Sequence, residues 1–265
     1  MTGDKPWTNL GFEEPQARFG SPSQNARIWT EGWAARSLFC PNCGAEKLSQ
    51  FPANRQVADF ECRACNDEYE LKAQKGRFGT KVLDGAYSAK MQRLKSANNP
   101  NLMLLNYDAL RMSVTNLIVV PKHFFIPDVI EARKPLGPNA RRAGWQGSHI
   151  RLDAIPVSGK IALVQDGILV PKEAVLKSWR DTLFLRDAAS LDARGWLIDV
   201  MRCVERIGRP AFNLDEVYAF EPRLSALYPD NRNVRPKIRQ QLQVLRDHGW
   251  LIFEGGGRYR LASKG

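Results

Sequence analysis

Two C-x2-C pairs constrain this chain more than any other feature. The pairs are Cys40/Cys43 and Cys62/Cys65, with 18 residues between them. Each pair can turn two thiolates toward one Zn²⁺, and two such pairs complete a tetrahedral four-cysteine site. Because four thiolates leave no open coordination position, the spacing predicts a structural zinc, with a redox-active pair or a chance spacing as the alternative.

The residues around the cysteines support this interpretation. Gly44 and Asn66 follow the second cysteine of each pair, where a left-handed backbone conformation is often needed. The fifth cysteine, Cys203, lies in an apolar pattern and is expected to be a small core residue. A chain with four cysteines paired by spacing and one buried is typical of a reducing compartment, so a cytoplasmic protein is expected.

Charge indicates a polyanionic partner. The 265 residues contain 39 Lys and Arg against 28 Asp and Glu, a net charge of +11. Such an excess favours nucleic acid, although a basic but otherwise ordinary enzyme is the alternative. No apolar run approaches the roughly 18 residues of a membrane span, and the polar N-terminus predicts no secretory signal, so no membrane partner is expected.

A second site is indicated beside the second cysteine pair. Residues 57–61 and 69–73 are predicted to form two strands of a hairpin, with Asp59 on the first strand. Alternation places Glu70 and Lys72 on one face of the second strand, so that pairing would bring Asp59 beside them. Two carboxylates can hold Mg²⁺ against a phosphate while a lysine orients or activates water. The alternative is a solvated strand face, since an isolated E-x-K is common.

The remaining pattern predicts a mixed α/β protein in two domains. Apolar runs alternate with helical segments, which favours a sheet with helices around it. We expect a flexible arm over 1–22, a catalytic domain over 23–190 and a winged-helix domain over 191–265. Within the catalytic domain we expect helices over 23–39 and 171–186, a helix that Asp84 caps, strands over 101–107, 115–120 and 161–164, and a basic loop over 131–145.

The C-terminal part is predicted to be a DNA-binding module. Three helical patterns, over 195–207, 214–227 and 234–248, precede a glycine-turned hairpin, which is the arrangement of a winged helix. Residues 231–265 carry an excess of six positive charges. Arg and Gln commonly contact base edges, and basic wing residues commonly contact phosphate. The candidate contacts are Arg235, Lys237, Arg239, Gln240 and Gln243 on the third helix, and Arg258 and Arg260 on the wing.

Several segments, taken together, resemble a known family. Asp59 with Glu70-Leu71-Lys72 matches the motif of the PD-(D/E)xK nucleases, with Ala58 where the motif name has proline. From about residue 23 to the end, the chain resembles the DpnI family of methyl-directed restriction endonucleases. The segments that carry the wider resemblance are Ala26-Arg27-Ile28, Cys40-Pro41-Asn42-Cys43-Gly44, Val57-Ala58-Asp59-Phe60, Asp84-Gly85-Ala86-Tyr87, Asn98-Asn99-Pro100-Asn101, Ala140-Arg141-Arg142-Ala143-Gly144-Trp145 and Lys237-Ile238-Arg239-Gln240-Gln241-Leu242.

The resemblance implies a fold, a reaction and a target. It implies a zinc-stapled PD-(D/E)xK core and a winged helix, both of which read double-stranded G-A-T-C that carries N6-methyladenine. It implies blunt Mg²⁺-dependent cleavage between A and T, with Asp59, Glu70 and Lys72 in the catalytic roles and Asp59 and Glu70 as magnesium ligands. The aromatic that lies near the methylated adenines in the family corresponds to Trp145, in the segment with Arg141 and Arg142.

Two other functions stay open at this stage. A zinc-containing reader of methylated DNA could bind without cutting, and an RNA-directed nuclease would share the basic charge and the carboxylates. Trp145 could also simply pack under its loop. A monomer is expected.

Overall fold

The computed structural model of the protein describes residues 9–13, 21–52, 58–96 and 99–262. These residues form a mixed α/β fold, as the sequence predicts. The helices are α1 (Pro22–Ser37), α2 (Tyr87–Lys95), α3 (Lys172–Arg180), α4 (Leu191–Arg206), α5 (Leu214–Tyr218), α6 (Glu221–Leu227) and α7 (Val234–Asp247). In these ranges, none of the helices is both long and apolar enough to span a membrane.

The strands make three sheets. They are β1 (Ser49–Gln50), β2 (Phe60–Glu61), β3 (Glu68–Gln74), β4 (Lys81–Ala86), β5 (Asn101–Asp108), β6 (Ser113–Val120), β7 (Ile130–Ala132), β8 (Gly147–Arg151), β9 (Ile161–Gln165), β10 (Ile168–Leu169), β11 (Ala211–Asn213), β12 (Leu251–Gly255) and β13 (Arg258–Leu261). The largest sheet has the order β1-β2-β3-β5-β6-β9-β10, and the others are β4-β8-β7 and β11-β13-β12.

The large sheet is buried on both faces at its centre. Strand β5 is buried from Asn101 through Tyr107, which explains why its sequence is a nearly continuous apolar run. Met103 and Leu105 belong to the core under α1 and α3, whereas Leu102 and Leu104 belong to the core on the opposite face. Strand β3 lies parallel to β5, and the other pairs in this sheet are antiparallel.

The second of these cores continues into the C-terminal domain. Leu102 and Leu104 of the large sheet lie in the same buried cluster as Ile198 of α4 and Ile238 of α7. Polar contacts reinforce the junction, because the carboxylate of Glu205 accepts hydrogen bonds from the backbone N–H groups of residues 157 and 158. The two domains therefore share one hydrophobic core.

The C-terminal domain has the predicted helices and hairpin, with one difference. The segment predicted as one helix over 214–227 is broken into α5 and α6. Pro222 lies in the first turn of α6, where its missing N–H is tolerated, although the same residue would interrupt a continuous helix. Gly255, Gly256 and Gly257 all have positive φ at the turn of the wing, so this turn depends on glycine.

Three element boundaries in the N-terminal domain also differ from expectation. The predicted strand over 57–61 is formed only at Phe60–Glu61, with residues 53–57 outside the described ranges. The helix predicted over 171–186 ends at Arg180 and is followed by a short 3-10 turn. Residues 131–132, expected in a loop, belong to β7.

The prediction that Asp84 caps a helix is wrong. Asp84 lies within β4, and α2 begins three residues later at Tyr87. Strand β4 pairs with β8, so that Asp84 is opposite Ser148, and this long-range pairing holds the segment in an extended conformation. The buried carboxylate is then available for contacts other than helix capping.

Part of the segment expected as an arm is attached to the sheet. Gly11 forms a bridge with Ser113, and the backbone N–H of Val114 donates to the carbonyl of Leu10. The indole N–H of Trp33 donates to the carbonyl of Asn9. Residues 9–13 are thus held against β6 and α1, whereas 1–8 and 14–20 lie outside the described ranges.

Candidate functional site

A cleft of about 880 Å³ opens beside β3. It is lined by α1, by the residues before β2, and by β3, β4 and α2. Asp59, Glu70 and Lys72 all line this cleft, so the hairpin brings the three predicted catalytic residues to one place. Glu70 and Lys72 alternate with Tyr69 and Leu71, which pack toward the core under α1.

Two lysines and two carboxylates form a closed ring in the cleft. The Nζ atom of Lys72 lies 2.8 Å from Glu70 Oε1 and 3.0 Å from Asp84 Oδ1. The Nζ atom of Lys90 lies 2.8 Å from Glu70 Oε2 and 2.8 Å from Asp84 Oδ2. The Asp84 side chain is 2% exposed, so this ring is largely shielded from solvent.

Mutual attraction keeps members of this ring charged despite burial. Burial opposes the charge on Lys72, but the carboxylates of Glu70 and Asp84 outweigh it and raise the Lys72 pKa. Burial likewise acts to raise the pKa of Asp84, but the ammonium groups of Lys90 and Lys72 lower it below its usual value. Both Lys72 and Asp84 are therefore ionised at neutral pH.

Asp59 is positioned by the backbone of the neighbouring strand. Its Oδ2 atom accepts a hydrogen bond of 2.7 Å from the backbone N–H of Leu71, and its own N–H donates to the carbonyl of Tyr69. Burial raises the pKa of Asp59, the Leu71 hydrogen bond opposes this shift, and the charges of Glu31 and Glu70 add to it. A carboxylate that is repelled by two neighbouring carboxylates is a favourable place for a cation.

The carboxylates fit a hard divalent cation. Asp59 and Glu70 both line one open cleft, and Mg²⁺ prefers oxygen ligands and an incomplete protein shell that leaves room for water and phosphate. On Glu70 the cation would compete with the ammonium groups of Lys72 and Lys90. Glu31 of α1 lines the same cleft and is paired with Arg27. The site thus combines acidic oxygens with cationic groups that could contact a phosphodiester.

The four cysteines form a separate cluster at the turn before β3. The Sγ atoms of Cys40, Cys43, Cys62 and Cys65 all lie within 4.8 Å of one another. The Sγ atoms are 3.6 Å apart for Cys40 and Cys65, and 3.5 Å apart for Cys43 and Cys62. Four sulfurs at a Zn–S distance of about 2.3 Å would be separated by about 3.8 Å, so the cluster can hold a metal such as zinc.

Local backbone geometry explains how each C-x2-C pair forms a tight turn, here called a knuckle. Gly44 and Asn66 have φ values of 79° and 59°, as the sequence predicts for the residue after each pair. The backbone N–H of Gly44 donates to the carbonyl of Cys40, and that of Asn66 donates to the carbonyl of Cys62. Each pair is therefore closed by a tight turn.

The cysteine cluster is tied directly to the strand of the cleft. The hydroxyl of Tyr69 lies 3.1 Å from Cys40 Sγ, and Tyr69 is the residue before Glu70. The buried carboxylate of Asp67, just before β3, accepts a hydrogen bond from Asn42 and forms an ion pair with Lys122. These contacts connect the cysteine cluster to the beginning of β3.

The basic loop carrying Trp145 lies between β7 and β8. Arg141 and Arg142 are exposed, and the Arg142 guanidinium lies 4.9 Å from the centroid of the half-buried Trp145 ring. A Cβ atom placed on Gly147 would lie 2.8 Å from the ring, so glycine permits the close approach of Trp145. The loop is joined to the cleft because β8 pairs with β4, which carries Asp84.

The predicted DNA contacts of α7 lie outside its core face. That core face contains Ile238, Leu242 and Leu245, which are all fully buried. Of the five candidate DNA-contacting residues on this helix, Lys237 is half-buried and the other four are exposed: Arg235, Arg239, Gln240 and Gln243. Arg235 forms an ion pair of 2.7 Å with Glu221, which a phosphate would have to displace.

On the wing, the two predicted arginines differ. Arg258 is exposed, whereas Arg260 is half-buried and pairs with Glu254 at 3.0 Å. The fifth cysteine, Cys203, is buried in the core as expected. Within the described part of the chain, Arg258 therefore has no ion-pair partner, whereas Arg260 already has one.

Three residues of the cleft are absent from the sequence prediction. The sequence predicts a helix cap at Asp84, and neither Glu31 nor Lys90 stands out in a chain with 28 acidic and 39 basic residues. Their sequence distance from Glu70 gives no signal, because β4, α1 and α2 converge only through tertiary packing. The Asp84-Gly85-Ala86-Tyr87 segment, which carries part of the family resemblance, is a signal in the sequence for Asp84.

Comparison with known protein families covers nearly the whole chain. Residues 10–188 match the sequence model of DpnI, the Dam-replacing family, and residues 192–261 match that of the Dam-replacing HTH domain. The second match coincides with α4 to β13, so the C-terminal module is a helix-turn-helix domain of this family. With both parts matched in order, the chain belongs to the DpnI, Dam-replacing family, and its domains are those of a methyl-directed protein that acts on DNA.

Proposed function

We propose that this protein is a type II restriction endonuclease that cleaves double-stranded DNA at GATC sites containing N6-methyladenine. The observation that carries the proposal is the convergence of Asp59, Glu70 and Lys72 in one open cleft of a DpnI-family chain. In this assignment residues 23–190 form the catalytic PD-(D/E)xK domain and 191–265 a second DNA-reading domain. The enzyme acts as a monomer in the cytoplasm, where thiolates stay available for zinc.

The residues of the cleft divide the work of phosphodiester hydrolysis. Asp59 and Glu70 would hold Mg²⁺, which, when bound, polarises a phosphate and lowers the pKa of water. The ammonium of Lys72 orients the attacking water and stabilises the charge that develops on the phosphate. Arg93 lines the same cleft and contributes positive charge toward the DNA backbone. The cysteine cluster takes no part in the reaction and supports β3.

Methyl recognition requires apolar contacts in the major groove. The N6-methyl group of adenine projects there, and burying one methyl against an aromatic face contributes about 1 kcal/mol. One such contact discriminates weakly, whereas two methyl groups, read by each of two domains, multiply the preference. In this scheme Trp145 contacts the methylated adenines, Arg141 and Arg142 contact the adjacent backbone, and α7 and the wing read the site a second time.

A Gly147→Ala substitution is expected to weaken discrimination for methylated DNA. Its Cβ would overlap the Trp145 ring, which must then move away from its present position. The ratio of binding constants for methylated and unmethylated duplexes should fall by about fivefold, the equivalent of about 1 kcal/mol. Fluorescence anisotropy with the two duplexes measures this ratio, and Gly137→Ala, where a Cβ meets open space, is the control. An unchanged ratio would remove Trp145 from the recognition site.

A pair of plasmid digests tests the function. Zinc-loaded protein with Mg²⁺ should fragment plasmid that carries N6-methyladenine in GATC and leave the same plasmid intact when it lacks the methyl groups. Binding to the methylated plasmid without cutting, across Mg²⁺ and Mn²⁺, would instead establish a methyl-DNA reader. Cleavage of RNA with indifference to methylation would identify an RNA-directed nuclease.

A further inference from the structure

Lys90 occupies an unusual position in the cleft. It projects from α2 with its Nζ atom 2.8 Å from both Glu70 Oε2 and Asp84 Oδ2, and its side chain is only 11% exposed. Lys72 takes the other oxygen of each carboxylate. Every carboxylate oxygen of Glu70 and Asp84 is consequently in contact with an ammonium group.

In this arrangement a divalent cation has to compete with Lys72 and Lys90 for the two oxygens of Glu70. The ring contains two negative and two positive charges, so it also lacks the net negative charge that attracts a cation. A buried carboxylate without a partner lowers the stability of the folded protein. An ammonium group in contact with the carboxylate compensates its charge as long as no metal is bound. Lys72 and Lys90 make equivalent contacts, but only Lys72 lies on the same strand as Glu70.

We propose that Lys90 is a resident counter-ion, which holds Glu70 and Asp84 in the metal-free protein and competes with the divalent metal for Glu70. Lys90 is a positioning residue in this role, since it acts on the metal site through the two carboxylates. The inference rests on the proposed function, because it takes Asp59 and Glu70 as the metal ligands. Its consequence is that metal affinity is set partly by a lysine on α2, outside the E-x-K segment.

Binding of Mn²⁺ to the full-length, zinc-loaded protein tests this competition. Electron paramagnetic resonance of free Mn²⁺ gives the affinity without reference to cleavage. Lys90→Met retains much of the side-chain length and removes the charge, so Mn²⁺ should bind at least about tenfold more tightly, as a carboxylate pair with one unmatched charge attracts a cation more strongly. Lys90→Arg restores the charge and should return the affinity toward that of the wild type.

Two further variants locate the effect. Lys81→Met removes a lysine that pairs with Glu131 at 2.7 Å, away from the residues that line the cleft, and should leave Mn²⁺ affinity unchanged. Asp59→Asn combined with Lys90→Met should abolish the tight binding, which places the ion in the cleft. If Lys90→Met is unfolded without divalent cations, Lys90→Gln in the same titration carries the same expectation.

Thermal unfolding gives an independent measurement. Without divalent cations Lys90→Met should have a lower Tm than the wild type, and Ca²⁺ should raise its Tm by more than it raises that of the wild type. Equal or weaker Mn²⁺ binding in Lys90→Met overturns the competition while leaving the nuclease assignment intact. Absence of Mn²⁺ binding in both proteins, together with uncut methylated plasmid, would instead refute the proposed function.

Discussion

Replacing Lys72 by alanine is expected to lower the rate of DNA cleavage by about 10²–10⁴-fold, the usual contribution of a positioned acid, base or water-orienting group. The ammonium of Lys72 contacts Glu70 and Asp84 together. In the proposed mechanism, its removal takes away both the water-orienting group and a charge near the phosphate. Single-turnover cleavage of a methylated duplex isolates this step from product release. Duplex affinity in anisotropy should stay within a few-fold of the wild type.

The control for this prediction is the replacement of an ion-paired lysine outside the cleft. Lys81→Ala removes an ion-paired lysine that does not line the cleft, and its cleavage rate should stay near that of the wild type. Because Lys72→Ala leaves two carboxylates with Lys90 as partner, circular dichroism should show the native fold. A Lys72→Ala protein that cleaves at a normal rate would show that the E-x-K segment is structural.

Cys62→Ser is expected to abolish metal binding at the cysteine cluster and to destabilise the catalytic domain by several kcal/mol. Apparent binding free energies of about 10–16 kcal/mol are typical for structural zinc in small peptides, and a domain with its own core depends on the metal for only a part of this. Cys62 begins the turn between β2 and β3, so its loss should also displace Asp59 from Glu70. The zinc content, the Tm and the cleavage rate should all fall together.

Cys203→Ala provides the matched control for this experiment. Cys203 is also buried, but it lies in the shared core far along the chain from the cluster. Its replacement should lower the Tm through lost packing while the protein retains one zinc per chain. Full zinc content and full activity in Cys62→Ser would show that the cluster is dispensable for the cleft.

The parts of the site that the sequence predicts are those encoded by short-range patterns. Two knuckles with Gly44 and Asn66 specify their turns locally, and alternation in β3 suffices to put Glu70 and Lys72 on one face. The buried run of β5 likewise identifies a central strand, since a continuous apolar segment needs cover on both faces. Each of these inferences depends on residues within one or two turns or strands.

The parts that escaped prediction depend on contacts between distant segments. Asp84 precedes a helix and has the residue type of a cap, but pairing with β8, more than 60 residues away, decides its conformation. Lys90 has the local pattern of an ordinary helix residue, and it reaches Glu70 because α2 packs against β4 and the Lys90 side chain extends to β3. The break between α5 and α6 has a local signal in Pro222, which cannot continue the preceding helix.

The shared core of the two domains bears on protein engineering. Ile198 and Ile238 of the helix-turn-helix domain pack in one cluster with Leu102 and Leu104 of the large sheet, and Glu205 accepts hydrogen bonds from the backbone of residues 157 and 158. A cut near residue 190 would leave a bare apolar surface on each fragment, which favours aggregation. This DNA-reading domain is therefore a poor candidate for transplantation onto another nuclease, unless the surface that it buries is redesigned along with it.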